Sequence, residues 1–76
     1  MLIDRQVLIL QSIVENFITT NQPVGSKQLA QSIDFSSATI RNIMALLETY
    51  NLLEKPHISG GRVPSTLGLQ YYAKYL

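Results

Sequence analysis

The stretch SSATIRNIMALLETY, residues 36–50, combines two different faces on one predicted helix. Ser36 or Ser37 is a suitable N-cap, because a serine hydroxyl accepts a hydrogen bond from a free amide of the first helical turn. Large apolar residues recur at i, i+3, i+4 and i+7 and predict a buried face, made of Ile40, Ile43, Met44 and Leu47. The opposite face is small or polar and comprises Ala38, Arg41, Asn42, Ala45 and Thr49. We therefore expect a helix that packs on one side and presents hydrogen-bonding groups on the other.

The residues before this stretch predict two more helices. Apolar residues fill about half of a helical wheel in the first helix, which is expected to begin near Asp4 as its N-cap and to end around residues 19–22. Pro23 ends it, because proline disfavours helical geometry in the residue before it. A short connector then leads to Ser26, a second candidate N-cap, and to a short helix over residues 27–33.

The residues after this stretch predict a β-hairpin and a last helix. Residues 52–55 are apolar enough for a short strand, and Val63 begins the return strand. The Gly60–Gly61 pair fits the turn that closes a hairpin. Both strands adjoin a proline, which has no amide to donate, so we expect both to be short or at an edge. Helical spacing of apolar residues over residues 66–76 predicts the last helix.

Length and composition limit the class of protein. With 76 residues, 46% of them hydrophobic, the chain can form one small core, so we expect one domain over residues 1–76, as a part of a longer protein or alone. The sequence has no cysteine and one histidine, His57, which excludes disulfides, thiol nucleophiles and clustered histidine or cysteine ligands for a metal. No catalytic pair is recognisable, so we expect neither an enzyme nor a cofactor.

Hydropathy and charge add two further expectations. The longest purely apolar run, residues 7–10, is far shorter than the ~20 residues of a membrane span, so we expect a cytoplasmic protein with no membrane partner. Six lysines and arginines against five acidic residues give a net charge of +1, and no basic run is present. Bulk charge therefore does not favour nucleic-acid binding, whose affinity normally depends on many phosphate-neutralising cations.

The predicted order of elements is nevertheless that of a winged helix-turn-helix, a mainly α fold with three core helices, a short β-hairpin wing and a C-terminal helix. In such a fold the helix over residues 36–50 lies in the major groove of double-stranded DNA. Arg41 is then expected to bind guanine O6 and N7, and Asn42 to bind adenine N6 and N7. Arg62 is expected at the hairpin tip, where it enters a minor groove. The candidate DNA-binding residues are Ser26, Lys27, Ser36, Ser37, Thr39, Arg41, Asn42, Ala45, Lys55, His57, Ser59 and Arg62.

Each of these features also has a simpler interpretation. An exposed arginine and asparagine are often only a solvated face, and serines before a helix are often only caps. Tyr71, Tyr72 and Tyr75 are expected to pack the last helix or to meet a partner. The alternative function is therefore a winged helix that binds only protein, through these tyrosines. Salt-dependent binding to duplex DNA distinguishes the two functions, because counterion release accompanies only the first.

Longer motifs favour DNA binding, namely QPVGS at 22–26, FSSATIRN at 35–42, LEKPH at 53–57 and GRVPS at 61–65. Together they resemble the N-terminal domain of the HrcA family of heat-inducible transcription repressors, over nearly the whole chain. The resemblance implies a bacterial repressor, cytoplasmic and associated with the nucleoid, that acts as a homodimer on an inverted-repeat operator ahead of chaperone genes. It also implies a GroEL-type chaperonin as the partner that keeps the repressor active. The recognition helix then includes residues 36–42, and the wing residues 55–62.

The sequence departs from the usual pattern of that family at four positions. An acidic residue is usual where Ile43 stands and near Leu46. A glycine is usual where Asn51 stands and a serine where Gly60 stands. Asparagine is among the residues that also adopt the left-handed conformation. Family members include a dimerising region beyond this domain, so operator binding by isolated copies is expected to be weak or undetectable, without the roughly 10²- to 10⁴-fold gain that linkage provides.

Overall fold

The computed structural model describes residues 2–56 and 61–76, and within them four helices and two short strands follow one another. The elements are α1 (Asp4–Thr20), α2 (Ser26–Ala30), α3 (Ser37–Thr49), β1 (Leu53–Glu54), β2 (Val63–Pro64) and α4 (Thr66–Tyr75). This order confirms the predicted winged helix-turn-helix, with α2 and α3 as the helix-turn-helix and the β1–β2 hairpin as the wing.

The first helix has the predicted extent but a different N-cap. The cap position is Ile3, so the prediction that Asp4 caps α1 was wrong by one residue. The amide of Ile3 instead donates to Oε1 of Gln6 at 3.0 Å, which pairs a backbone group that the helix leaves free. The helix ends before Asn21, which adopts a left-handed conformation with φ 56° and donates its amide to the carbonyl of Phe17.

The second helix is shorter than predicted, and its cap also differs by one residue. It covers five residues, with Gly25 at the N-cap and Ser26 already inside the helix, so the prediction of Ser26 as a cap was wrong. At its end, amides of the following residues bond three positions back, Gln31 to Gln28 and Ser32 to Leu29, which tightens the chain out of α-helical geometry. Leu29 is fully buried, and this anchors the short helix on the core.

The third helix has both of its predicted faces. The side chain of Ser36 caps it, because its hydroxyl accepts a hydrogen bond from the amide of Thr39 at 3.1 Å. All four residues of the predicted inner face are buried, and all five of the opposite face are exposed. After the helix, Asn51 adopts the left-handed conformation with φ 63°, as expected from its position.

The hairpin is short, as its prolines predict, and it is tied to a segment far away in the sequence. Its strands pair antiparallel, Leu53 with Pro64 and Glu54 with Val63. Arg62 extends the return strand by an antiparallel bridge to Val24, in the connector before α2, with both N–H···O bonds at 2.8–2.9 Å. This bridge fixes the wing to the helix-turn-helix, and nothing in the local sequence pattern indicates it.

The last helix is held at its start by Ser65. The Ser65 hydroxyl accepts from the amide of Gly68 at 2.9 Å and donates to the carbonyl of Asn51 at 2.6 Å. The helix packs against α1 and β2, and Tyr72 donates its hydroxyl hydrogen bond to Glu15 on α1. Helix α4 therefore leaves the polar face of α3 uncovered.

One apolar core joins these elements. Its buried members come from α1, the connector before α2, α2, α3 and the start of the hairpin: Ile9, Leu10, Ile13, Val14, Val24, Leu29, Ile40, Ile43, Met44, Leu47, Leu52 and Leu53. Across residues 2–56 and 61–76, every helix is too short or too polar to cross a bilayer.

Candidate nucleic-acid interface

The outer face of α3 consists of Ala38, Arg41, Asn42, Ala45 and Thr49, all of them exposed. Arg41 and Asn42 are neighbours in sequence, so their side chains leave the helix about 100° apart and lie on opposite edges of this face. The alanines between them let another surface approach the helix axis. Thr49 turns its hydroxyl back to the carbonyl of Ala45 at 3.0 Å. The face therefore offers two long hydrogen-bonding side chains, one on each side of a flat centre.

A basic groove of about 430 Å³ borders the Arg41 edge of this face. It lies between the start of α2, α3 and the hairpin, and it is lined by Gly25, Ser26, Lys27, Arg41, Lys55, Gly61 and Arg62. Four of these seven residues are cationic and none is acidic. A concave surface lined by charges of one sign focuses the electrostatic potential and attracts counter-charged ligands.

Arg62 directly precedes β2, on the side of the strand pairs that leads to the tip, but it is held against the body of the domain; its contact with a minor groove stays a prediction. Its backbone pairs with Val24, and the residue is only 8% exposed. Its Nε donates to Oε1 of Glu48 on α3 at 2.9 Å. A guanidinium held in this way would have to leave Glu48 to reach a minor groove. Glu48 is 14 residues away in the sequence, and no local pattern indicates the pair.

The other cations that border α3 differ from Arg62 in both exposure and pairing. Lys27, Arg41 and Lys55 are exposed, and none of them forms an ion pair with another of the residues described. Their charges are therefore available to a ligand. The low net charge of +1 therefore does not argue against DNA binding, because it is compatible with a local concentration of unpaired cations on one surface.

The predicted hydroxyl groups at the start of α3 have different surroundings. The Ser36 hydroxyl accepts from the Thr39 amide and also donates to Oγ1 of Thr39 at 3.0 Å. Ser36 therefore acts as a helix cap, and its one hydroxyl proton is already used. Ser37 is half-buried, whereas Thr39 is exposed. Of the predicted wing residues, His57 and Ser59 lie outside the described residues, as does Gly60, and their roles stay predictions.

The sequence departures on α3 leave its outer face clear. Ile43 is buried in the core, and Leu46 is half-buried on the Asn42 edge. Both line a second groove of about 310 Å³, together with Arg5, Gln6, Thr39 and Asn42. Arg5 was absent from the predicted site residues. The helical wheel places it on the polar side of α1, but only the crossing of α1 over α3 brings it to Asn42.

The tyrosines of α4 mainly pack this helix against the rest of the domain. Tyr71 and Tyr72 pack against the core, and the rings of Tyr71 and Tyr75 lie 4.8 Å apart. The hydrogen bond from Tyr72 to Glu15, then desolvation and the Glu15 charge, raise the pKa of the Tyr72 phenol above 10.0. In the described residues, no group of three or more His, Asp or Glu side chains is arranged to hold a metal.

Two curated relatives match the chain over nearly its whole length. It is 61% identical over 74 residues to the heat-inducible transcription repressor HrcA of Mycoplasma capricolum subsp. capricolum, a match that covers 95% of this chain and 22% of that protein. It is 54% identical to the heat-inducible transcription repressor HrcA of Halalkalibacterium halodurans, over 100% of this chain and 23% of that protein. The chain therefore spans less than a quarter of the length of these relatives.

The fold and the family model agree with these relatives. A crystal structure of a hypothetical protein at 2.2 Å resolution is similar with a TM-score of 0.87 and 44% identity, over 93% of this chain and 24% of that one. Residues 1–73 match the family model of the winged helix-turn-helix transcription repressor HrcA, DNA-binding. The family is one of DNA-binding repressors and not of enzymes, which favours DNA over the alternative of a winged helix that binds only protein. The chain belongs to the HrcA family of winged helix-turn-helix transcription repressors and corresponds to its DNA-binding domain.

Proposed function

We propose that the outer face of α3 enters the major groove of an operator, and that this domain thereby directs a heat-inducible repressor to chaperone genes. The observation that supports it most strongly is the division of α3 into a fully buried apolar face and a fully exposed polar one. A helix anchored on one side can be pressed into a groove without losing its place in the fold. The names of the curated relatives support the heat-inducible regulation.

Base readout is assigned to Arg41 and Asn42. An arginine fork matches the O6 and N7 acceptors of guanine, and an asparagine amide matches the N6 donor and N7 acceptor of adenine. Ala45, between the two edges, is small enough for close approach and offers its methyl group to a thymine methyl. Because Arg41 and Asn42 leave opposite edges of the helix, we expect them to read different base pairs.

Backbone contacts are assigned to the basic groove. Lys27 on α2 and Lys55 after β1 are exposed and unpaired among the described residues, and they lie on either side of the groove. Ser26 lines the same groove, and its hydroxyl makes no capping bond, so it is free to donate to a phosphate oxygen. Ser37 and Thr39 are assigned to phosphates at the start of α3. Arg62 holds the hairpin against α3 in this proposal.

The whole repressor is proposed to bind as a homodimer on an inverted repeat. Half-sites read from one side of the duplex are spaced by about 34–36 Å or a multiple of it. The domain measures 27 × 25 × 23 Å, so two copies fit side by side at that spacing. The chaperonin partner and the bacterial cytoplasm as its location follow from the family resemblance and are proposed on that ground.

The test uses duplexes enriched from a randomised pool by this domain, followed by fluorescence anisotropy over a range of salt concentrations. We expect Arg41→Ala to reduce discrimination between the enriched duplex and its single-base variants by about 1–3 kcal/mol. Lys55→Ala should weaken binding to all duplexes alike. It should also reduce the slope of log K against log salt concentration by about 1. Lys74→Ala, on α4 and outside both grooves, is the matched control.

Two outcomes would contradict the proposal. Binding that does not depend on salt would argue against phosphate contacts altogether. Identical behaviour of Arg41→Ala and Lys55→Ala on every duplex would show that the division into base readout and backbone contact is wrong.

A tandem of two domains joined by a flexible linker should bind an inverted repeat about 10²- to 10⁴-fold more tightly than one copy does.

A further inference from the structure

The groove on the Asn42 edge of α3, here called the Arg5 groove, contains a cation that the proposed function leaves unused. Arg5 lies in the first turn of α1 and is exposed. The groove brings it together with Thr39 and Asn42 of α3, over a floor formed by Ile43 and Leu46. The recognition helix is thus bordered by cations on both edges, with three exposed ones on the Arg41 side and Arg5 on the other.

The charge of Arg5 is not compensated within its groove. None of the residues that line the Arg5 groove is acidic, and Arg5 makes no ion pair with another described residue. Gln6, the neighbouring polar side chain, accepts the Ile3 amide through its Oε1 and carries no charge. The apolar floor adds no competing acceptor. An anion that entered this groove would therefore meet Arg5 as its cationic partner.

The positions of the two grooves correspond to the two walls of a DNA groove. A helix in the major groove, which is about 12 Å wide, has one sugar-phosphate backbone on each side. The basic groove lies beyond Arg41, and the Arg5 groove lies beyond Asn42. When the outer face of α3 points at the bases, the two grooves face opposite backbones. Lys27 and Lys55 line only the basic groove.

We infer that Arg5 binds a phosphate of the DNA strand whose backbone lies opposite the one held by Lys27 and Lys55, so that α3 is clamped between both strands. This rests on the proposed function of α3. An arginine suits the role, because its planar fork of donors binds two phosphate oxygens at once. The clamp also orients the helix, since a single row of backbone contacts would leave α3 free to roll about its axis in the groove.

The first measurement compares salt slopes on one enriched duplex. Arg5→Ala should reduce the slope of log K against log salt by about 1 and weaken binding about fivefold at physiological salt, by the same factor on every single-base variant. Arg5→Lys should retain the slope, because it keeps the charge, which shows that the loss in Arg5→Ala is a loss of charge and not of structure. Lys74→Ala should leave slope and affinity unchanged.

The second measurement locates the contact. Single phosphates of the duplex are replaced, one at a time, by neutral methylphosphonates, and the loss of affinity is compared in the wild type and each variant. A phosphate that pairs with Arg5 should matter in the wild type and no longer in Arg5→Ala. We expect it on the opposite side of the major groove from the phosphate that is coupled in the same way to Lys55.

The outcomes separate this inference from the function on which it rests. If Arg5→Ala behaves like Lys74→Ala while Arg41→Ala still loses discrimination, the clamp is wrong and the proposed function stands. If the Arg5-coupled and Lys55-coupled phosphates lie on the same backbone, the two-strand arrangement is wrong. If neither the wild-type domain nor the tandem of two linked domains shows salt-dependent binding to any enriched duplex, both proposals are overturned.

Discussion

The outer face of α3 and the hairpin base each contain one arginine, and the two arginines have opposite environments. The name hairpin base is used here for five buried residues of the hairpin and the start of α4, namely Leu52, Leu53, Arg62, Ser65 and Gly68. On the outer face, Arg41 is exposed and unpaired among the described residues. In the hairpin base, Arg62 is 8% exposed and bound to Glu48. Burial and pairing, and not residue type, therefore separate an arginine that is available to DNA from one that positions the parts that bind it.

The pair between Arg62 and Glu48 links the two regions mechanically. Glu48 belongs to α3, one residue before the helix ends, and Arg62 directly precedes strand β2. The backbone of Arg62 is also bridged to Val24, directly before α2. The wing, the connector and the recognition helix therefore share one contact point. The wing and the outer face of α3 both have to match the DNA surface. The contact point at Arg62 sets the distance between them.

The largest loss of stability is expected from substituting Gly68. In the hairpin base, this residue approaches another backbone segment most closely. A Cβ at this position would overlap with the carbonyl oxygen of Leu52, which cannot rotate away as a side chain can. Gly68→Ala should therefore push α4 off the hairpin and lower the free energy of unfolding by about 3 kcal/mol, although alanine favours helix. Urea denaturation followed by circular dichroism measures the change.

Gly25→Ala is the matched control for this substitution. No atom lies within 4 Å of the Cβ that it would introduce, and Gly25 has an ordinary backbone conformation with φ −94°. We expect a change of less than about 1 kcal/mol, because only the cap preference and the freedom of the unfolded chain are altered. If both variants were equally stable, the close approach of α4 to Leu52 would not be a determinant of the fold.

An intermediate effect is expected on comparing the two arginines directly. Arg62→Ala should lower the free energy of unfolding by about 2 kcal/mol, less than the about 3–5 kcal/mol of a fully buried pair, because the Glu48 side chain is 39% exposed. Arg41→Ala should change it by no more than about 0.5 kcal/mol. In DNA binding the order should reverse for discrimination between bases, where only Arg41→Ala has a direct effect.

The double variant Arg62→Ala with Glu48→Gln sharpens this comparison. It removes the unpaired carboxylate that the single variant leaves behind, so it should recover part of the lost stability. Equal losses of stability in Arg41→Ala and Arg62→Ala would show that exposure does not distinguish their roles.

The sequence predicts well what depends on neighbouring residues. A cap at Ser36 or Ser37 and the two faces of α3 follow from spacing within one or two helical turns, and Ser36 is the cap that the structure shows. The left-handed conformation of Asn51 agrees with the glycine that is usual at this position in the family. The N-caps of α1 and α2 were each misplaced by one residue, because Ile3 and Gly25 use backbone geometry and a glutamine side chain in place of a capping hydroxyl or carboxylate.

What the sequence could not predict depends on contacts between distant segments. Arg62 meets Glu48 and Val24 only because the hairpin folds back on α3 and on the connector. Arg5 reaches the Asn42 edge of α3 only because α1 crosses that helix. Helical periodicity identifies which side of an element is polar, but it does not identify which other element that side meets.

The smallest effect is expected for a polar pair that is neither buried nor near DNA, Tyr72 with Glu15. The hydrogen bond raises the pKa of the Tyr72 phenol in the folded state above its unfolded value of 10.0, so the pair stabilises the fold below about pH 10. That contribution is lost as the pH rises through the raised pKa, when a phenolate would face the carboxylate.

We therefore expect the melting temperature of the wild type to fall more steeply than that of Tyr72→Phe as the pH rises above about 10, because Tyr72→Phe has no phenol to ionise at this position. The difference between the two proteins is the informative quantity. Tyr75→Phe is the control, since Tyr75 is exposed and its only described contacts are with the Tyr71 ring and Lys74. Parallel pH profiles for the wild type and Tyr72→Phe would mean that the Glu15 contact does not persist in solution. If Tyr72→Phe lowered the free energy of unfolding as much as Arg62→Ala does, an exposed pair would stabilise the fold as much as a buried one. That result would contradict the conclusion from the two arginines that burial separates their roles.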